Sequence, residues 1–235
     1  MCLNAQEIIT DRPDQTESSS TIPKNSFQIE TGILFSQVNA NSFESNNWNL
    51  PTTLLRFGIS RNIELRLANQ FTSIVKNSEE KTHQYGFGDI EIGAKIQILR
   101  KKNINTEIAF LSHLVFPFGD KRISNTNFGS INKLSISHSI TKNTSLGYNV
   151  GYNYFGEDLG MATYSLAVGF TINDKWGFYI EPYGEWLNFQ SIASNLDGGF
   201  TYLLQQNIQL DISYGLGLNY HMHYTSLGFS WLIGY

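Results

Sequence analysis

Residues Gly88–Ile98 read GDIEIGAKIQI, and their chemistry alternates at every step. Ile90, Ile92, Ala94, Ile96 and Ile98 share one face; Asp89, Glu91, Gly93, Lys95 and Gln97 share the other. A strand points successive side chains to opposite sides, so this stretch predicts a strand with one apolar and one charged face. A soluble sandwich shows a similar alternation, with its polar face in water and its apolar face in a shared core. Here the pattern recurs to Tyr235, and the apolar face acquires no charge in any segment that alternates. That is how a barrel reads when its outside meets lipid and its inside is polar.

Working outward, the chain from Phe27 divides into twelve alternating segments: roughly 27–37, 49–60, 62–73, 87–99, 105–116, 128–140, 145–154, 161–172, 176–187, 195–204, 207–218 and 224–235. Five connections are tight and rich in Asn, Lys, Asp or Gln: around Arg61, Lys101–Asn103, Lys142-Asn143, Asp174-Lys175 and Gln205–Asn207. The others read as longer: Val38–Trp48, Ile74–Gly86, Pro117–Asn127, Phe155–Gly160, Asn188–Ser194 and Asn219–His223. Short turns at one end and long loops at the other suit a membrane barrel, and an even strand number puts both termini at the short-turn end. The predicted fold is an all-β, transmembrane, antiparallel up-and-down barrel of about twelve strands over residues 27–235.

Composition agrees. At 235 residues, with 14% aromatics, 20 glycines and 5 prolines, the chain has the makings of many strands. A formal charge of -4 gives no reason to expect a nucleic-acid partner. The longest charge-free run, Ile212–Tyr235, is long enough for a spanning helix, but its two histidines, three serines and four glycines make it a poor one. The single cysteine, Cys2, rules out an internal disulfide framework. Leu3-Asn4-Ala5 ahead of Gln6 resembles a cleavage site, so residues 1–5 are expected to be the remnant of a secretory signal.

Residues 6–26 are polar, carry two prolines and do not alternate. They are expected to form an extended lead-in without a strand of its own, at the periplasmic mouth or inside the lumen as a plug. Asp11, Arg12, Asp14 and Glu17 suit such a polar interior.

Sorting the strand charges by parity puts Glu30, Arg56, Glu64, Arg66, Asp89, Glu91, Lys95, Glu107, Lys133, Glu181, Glu185, Asp197 and Asp211 on the inward set. These are the expected lumen-lining residues, nine acidic against four basic. They fit either a cation-preferring acidic pore or a set of cross-lumen ion pairs in a closed barrel. Ile90, Ile92, Leu210, Ile212, Phe229 and Trp231 should face outer-membrane lipids. Aromatics gather near strand ends as candidate girdles: Trp48, Phe116, Phe128, Tyr154 and Trp186 at one, and Phe57, Trp176, Phe178, Trp231 and Tyr235 at the other. The last strand, ending in Tyr235, resembles the C-terminal signal through which the barrel-assembly machinery recognises its clients.

No catalytic constellation stands out, and no cofactor or metal is expected. Glu181 and Glu185 share a face with Tyr179 and Tyr183, but a static lumen network explains them better than acid–base work. His221 and His223 are spaced to share a strand face, yet lack an evident third ligand and fall in a predicted loop. His138 lies on the outward set between isoleucines, without the serine two residues away that an outward-facing barrel lipase would show.

The chain resembles a family of bacterial outer-membrane proteins labelled "putative MetA-pathway of phenol degradation", whose members are often described as transporters. The likeness rests on TDRPDQTES (Thr10–Ser18), IPKNSFQIETG (Ile22–Gly32), GFGDIEIGAK (Gly86–Lys95), Pro117-Phe118-Gly119 and DGGFTYLLQQNIQLDIS (Asp197–Ser213). It implies a Gram-negative outer-membrane channel or transporter for small solutes, with hydrophobic or aromatic compounds in view. A closed structural barrel or a barrel-embedded enzyme is the alternative. The family brings no agreed catalytic residues.

Overall fold

The computed structural model describes residues 8–40, 43–100, 104–125, 127–156 and 160–234. Residues 1–5, expected to be a signal remnant, residues 101–103, expected to be a tight turn, and Tyr235 lie outside the described residues. Thirteen strands are present among those described: β1 (Phe27–Ala40), β2 (Phe43–Gly58), β3 (Ile63–Asn77), β4 (Lys81–Phe87), β5 (Ile90–Arg100), β6 (Thr106–Phe116), β7 (Gly129–Ser139), β8 (Thr144–Tyr154), β9 (Met161–Thr171), β10 (Trp176–Leu187), β11 (Ser191–Gln205), β12 (Ile208–Gly217) and β13 (His221–Ile233). Neighbours pair antiparallel around one sheet, and β1 pairs with β13 from Phe27↔Ile233 to Asn39↔His221. The β2–β3 pairing completes the circuit, so the sheet closes on itself as a barrel. β4 and β5 both pair with β3 and form one interrupted stave, which makes twelve staves in all.

The interruption corrects the reading of 87–99 as one strand. Gly88 and Asp89 leave the ladder, and the Asn69 amide donates to their carbonyls at 2.9 and 3.2 Å. Asp89 instead uses its carboxylate to accept from the backbone N–H of Gly119 and of Asn125. Asp120 accepts from the N–H of Phe87 at 2.6 Å. The break therefore anchors the 117–128 connection, and alternation alone could not show it because Asp89 keeps the expected parity.

Loop lengths also differ from expectation. β1 and β2 run on to Ala40 and from Phe43, β3 ends at Asn77 with β4 starting at Lys81, β11 begins at Ser191, and β13 takes in His221 and His223. Four predicted long loops are thus strand overhangs with short turns, and the two histidines lie in a strand rather than a loop. Above the Phe35–Trp48 contact (4.7 Å between ring centroids), the outward parity of β1, β2 and β13 becomes polar: Gln37, Asn39, Glu44, Asn46, His221 and His223. Where both faces meet water, hydropathy no longer alternates and the pattern loses its power.

Burial is inverted relative to a soluble domain. Most buried side chains are polar, among them Arg56, Glu64 and Lys95, each 0% exposed. The outside carries Val150, Ile98 and Leu114, at 61%, 60% and 56% exposed. Ile92, Leu210, Ile212 and Trp231 are exposed as predicted, whereas Ile90 and Phe229 are half-buried by their neighbours. No shared apolar core exists among the described residues beyond a small cluster of Ile8, Ile22 and Leu232 at the tight-turn mouth. Lipid has to be the outer solvent of such a surface.

Aromatic contacts band both ends. Phe116 meets Phe118 and Phe128 at the loop end, and Phe178 lies between Phe170 and Phe200 at the turn end. Two polar groups on the outward face are satisfied locally, as groups in lipid must be. Asn132 accepts from Ser112 at 2.8 Å, and His138 sits within hydrogen-bond reach of Thr106 (2.8 Å) and Tyr148 (3.3 Å).

Candidate functional site

The site is the barrel lumen and the segment that runs through it. Residues 8–26 form no strand and enter and leave by the tight-turn mouth. At entry the Ile8 N–H donates to the Gln206 carbonyl; at exit the Asn25 N–H donates to that of Gly58. Two prolines, few apolar residues and no alternation leave this segment nothing to pair as a strand. Its own polar groups find side chains instead.

Asp11 is the main anchor. Its carboxylate lies 2.5 Å from Arg66, 2.8 Å from Lys95 and 3.3 Å from Arg56. Its backbone N–H donates to Glu30, and it accepts from the N–H of Ser18, which ties the two limbs of the segment together. Burial opposes ionisation of Asp11, but Arg56, Lys95 and Arg66 together hold its carboxyl well below the usual range. Arg56 also contacts Glu30 (2.8 Å) and Glu64 (2.9 Å), and Arg66 contacts Glu64 (3.0 Å) and Glu17 (2.8 Å). Three cations thus face four carboxylates, with every partner hydrogen-bonded. That is the condition under which buried charge is tolerated.

Further contacts run around the wall. Arg12 meets Asp211 at 3.0 Å and Ser226 at 2.9 Å, in space left by Gly228: a Cβ there would lie 2.2 Å from the Arg12 Nε. Gln15 N–H and Thr16 Oγ1 donate to Glu181, and Glu17 N–H donates to Asn149. Ser20 donates to Glu107, and the Ile22 N–H donates to Glu64. Arg66 Nε donates to His113 Nε2 at 3.0 Å, and His113 Nδ1 lies 2.9 Å from Glu91.

The thirteen expected lumen residues fall into three groups. Glu30, Arg56, Glu64, Arg66, Lys95, Glu107 and Asp211 bond to the segment or to its direct partners. Glu181 and Asp197 are buried and directly opposite each other across β10 and β11, and Glu181 accepts from the segment. Asp89, Glu91, Lys133 and Glu185 line open space; Asp89 also stands at the strand break, and Lys133 also reaches Glu17 of the segment at 3.8 Å. His113, Thr16, Asn149, Ser165 and Tyr224 also take part, and sequence reasoning passed over them. The four on strands occupy inward parities; neutral residues there drew no notice because charge was the criterion.

Beyond the segment, toward the loop end, lies a cavity of about 440 Å³. Arg12, Gln70, Glu91 and Asn125 supply polar groups, and Val115 and Phe155 supply apolar surface. A smaller space of about 110 Å³ flanks the segment between Lys133 and Glu185. Among the described residues no group of His, Cys, Asp and Glu is arranged to hold a metal, and His221 and His223 point outward.

A sequence model of one protein family matches residues 10–230, nearly the whole chain. The protein belongs to the family described as "Putative MetA-pathway of phenol degradation". No curated protein sequence matches this family member. Among solved structures, it is similar to the COG4313 outer membrane channel from Pseudomonas putida F1, with a TM-score of 0.76 at 9% identity, covering 97% of this chain and 100% of that one. It is also similar to the NanC porin, with a TM-score of 0.56 at 12% identity over 86% of this chain and 98% of that one. The KdgM porin solved with disordered oligogalacturonate gives a TM-score of 0.57 at 13% identity, over 87% and 98%. At these identities the likeness is one of fold: a closed twelve-stave barrel of the bacterial outer-membrane type.

Proposed function

We propose that this protein is an outer-membrane channel for small solutes, apolar or aromatic ones foremost, and that residues 6–26 are its plug. The observation that carries the reading is how residues 8–26 are held. They bond to side chains on nearly every stave, yet contribute nothing to the ladder that closes the barrel. A segment held in this way can shift or leave without opening the wall. The family description supports the substrate class, as does the apolar surface of Val115 and Phe155 beside the polar groups of the larger cavity. No catalytic role is assigned to any residue. Export would begin with a secretory signal of a Gram-negative cell, and the barrel-assembly machinery would take β13 as its client strand.

A second reading, a closed structural barrel, draws on the density of the Asp11–Arg56–Arg66–Lys95 network. The two separate on deletion of residues 6–26. A channel predicts a several-fold rise in single-channel conductance in planar bilayers and faster entry of small aromatic solutes into proteoliposomes. Unchanged conductance and entry would favour the structural barrel.

A further inference from the structure

The lumen network has two unlike halves. On the β2–β3–β5 side every carboxylate that touches the lead-in has a cation. On the β10–β11 side the situation is reversed. Glu181 and Asp197 face each other directly across the strand pair, both buried on the inward face. Asp14, at the apex of the lead-in, is half-buried and faces the same spot. Among the described residues no ion pair reaches Asp14, Glu181 or Asp197. Their donors are neutral: Gln15 N–H and Thr16 Oγ1 for Glu181, and the Tyr224 hydroxyl for Asp197. The second oxygen of Asp197 has no partner, nor does the Tyr179 hydroxyl, although Tyr179 is only 6% exposed.

Like charges directly opposite on a sheet repel, and buried unpaired carboxylates give up their charge by taking a proton. We propose that Asp14, Glu181 and Asp197 form a proton-held latch, which pins the apex of the lead-in to the wall when protonated and releases it when the protons leave. The proposal rests on the plug reading above.

The surroundings agree with this sign. Glu181 and Tyr179 on β10, Asp197 on β11 and Asp11 on the lead-in face Asp14, Tyr224 on β13 borders Tyr179 and Asp197, and Tyr183 and Glu185 on β10 stand next to Glu181 and Asp197. Arg12 pairs instead with Asp211 on β12, and Lys133 on β7 with Glu17 at 3.8 Å. Burial, then the carboxylates of Glu181 and Asp197, push the Asp14 carboxyl well above its usual range. A carboxyl whose pKa is raised in the plugged state binds more protons there than in the released state. The plugged state therefore loses stability as pH rises from the ordinary carboxylate range through the raised value. Each pH unit in that window changes the plugged-to-released ratio by about tenfold per proton.

The test is full-length protein in planar bilayers, titrated from about pH 5 to about pH 9, the span in which a raised carboxyl changes charge. Wild type should conduct several-fold more at the alkaline end. Asp14→Asn, which keeps the shape and removes the charge, should stay at the low level throughout. Asp197→Asn should behave likewise if Asp14→Asn folds poorly. A wild-type conductance that stays flat, while deletion of 6–26 still opens the pore, would overturn the latch and leave the plug. A rise in Asp14→Asn and Asp197→Asn equal to that of wild type would also overturn it. So would opening on acidification. A deletion without effect would remove the plug and the latch together.

Discussion

Asp11 and Arg66 meet at 2.5 Å inside the barrel, one on the lead-in and the other on β3. This contact joins the segment to the wall at the point where Arg56 and Lys95 also converge. Replacing Asp11 by Ala leaves three buried cations short of a partner. Breaking a buried pair from one side costs about 3–5 kcal/mol. Asp11→Ala should therefore release the lead-in, seen as faster protease cleavage between residues 8 and 26 and a higher conductance. Protection equal to wild type would place the anchor elsewhere.

Gly228 gives a second handle on the same segment. A Cβ there would lie 2.2 Å from Arg12 and 2.4 Å from Asp211. Gly228→Ala should displace the Arg12 guanidinium and raise conductance, while β12 and β13 stay paired and the heat-modifiable gel shift of the folded barrel persists. Ser230→Ala, on the same inward face but away from Arg12, should leave conductance unchanged.

Selectivity follows from the charges left over. With the lead-in deleted, the predicted lumen set carries nine acids against four bases, and cations should be preferred. The preference should fade as salt rises, because the Debye length shrinks from about 8 Å at physiological strength to about 3 Å at 1 M. Replacing Glu181 and Glu185 by Gln should weaken it, and replacing the outward His221 and His223 should not. Reversal potentials in a salt gradient measure this; anion preference at low salt would contradict it.

The outer face is tested by a single charge. Ile212 points outward from β12 and Ser213 points inward. Ile212→Lys should cost about 2–4 kcal/mol if it lies near the bilayer midplane, and about 0–1 near the interface. Denaturant unfolding in lipid vesicles reads the difference, and no loss at all would argue against lipid at that position.

Much of this architecture was legible in the chain. The alternation around Ile92, Ile212 and Trp231 gave strand number, parity and lipid face because the membrane permits no charge on one side. The charges of Asp11, Arg12, Asp14 and Glu17 in a segment without alternation pointed to a polar interior. Less could be read where a residue's role depends on what lies opposite. Asp89 kept its parity although the strand breaks there, and nothing local marks Asn69 as the group that bridges the gap. The overhangs of β1 and β2 were hidden because both their faces are wet. His113 and Tyr224 are ordinary inward residues until Arg66 and Asp197 are placed beside them.

In a plugged channel the lead-in has to move for solute to pass. Thr16 on its apex and Ser165 on β9 have hydroxyl oxygens 2.6 Å apart, close enough for a cysteine pair to bridge. The Thr16→Cys, Ser165→Cys double variant, made with Cys2→Ser, can be reconstituted and its aromatic-solute uptake measured before and after reduction. A movable plug predicts low uptake when oxidised and recovery to the wild-type rate when reduced. Equal uptake in the two states, with the disulfide verified, would contradict it.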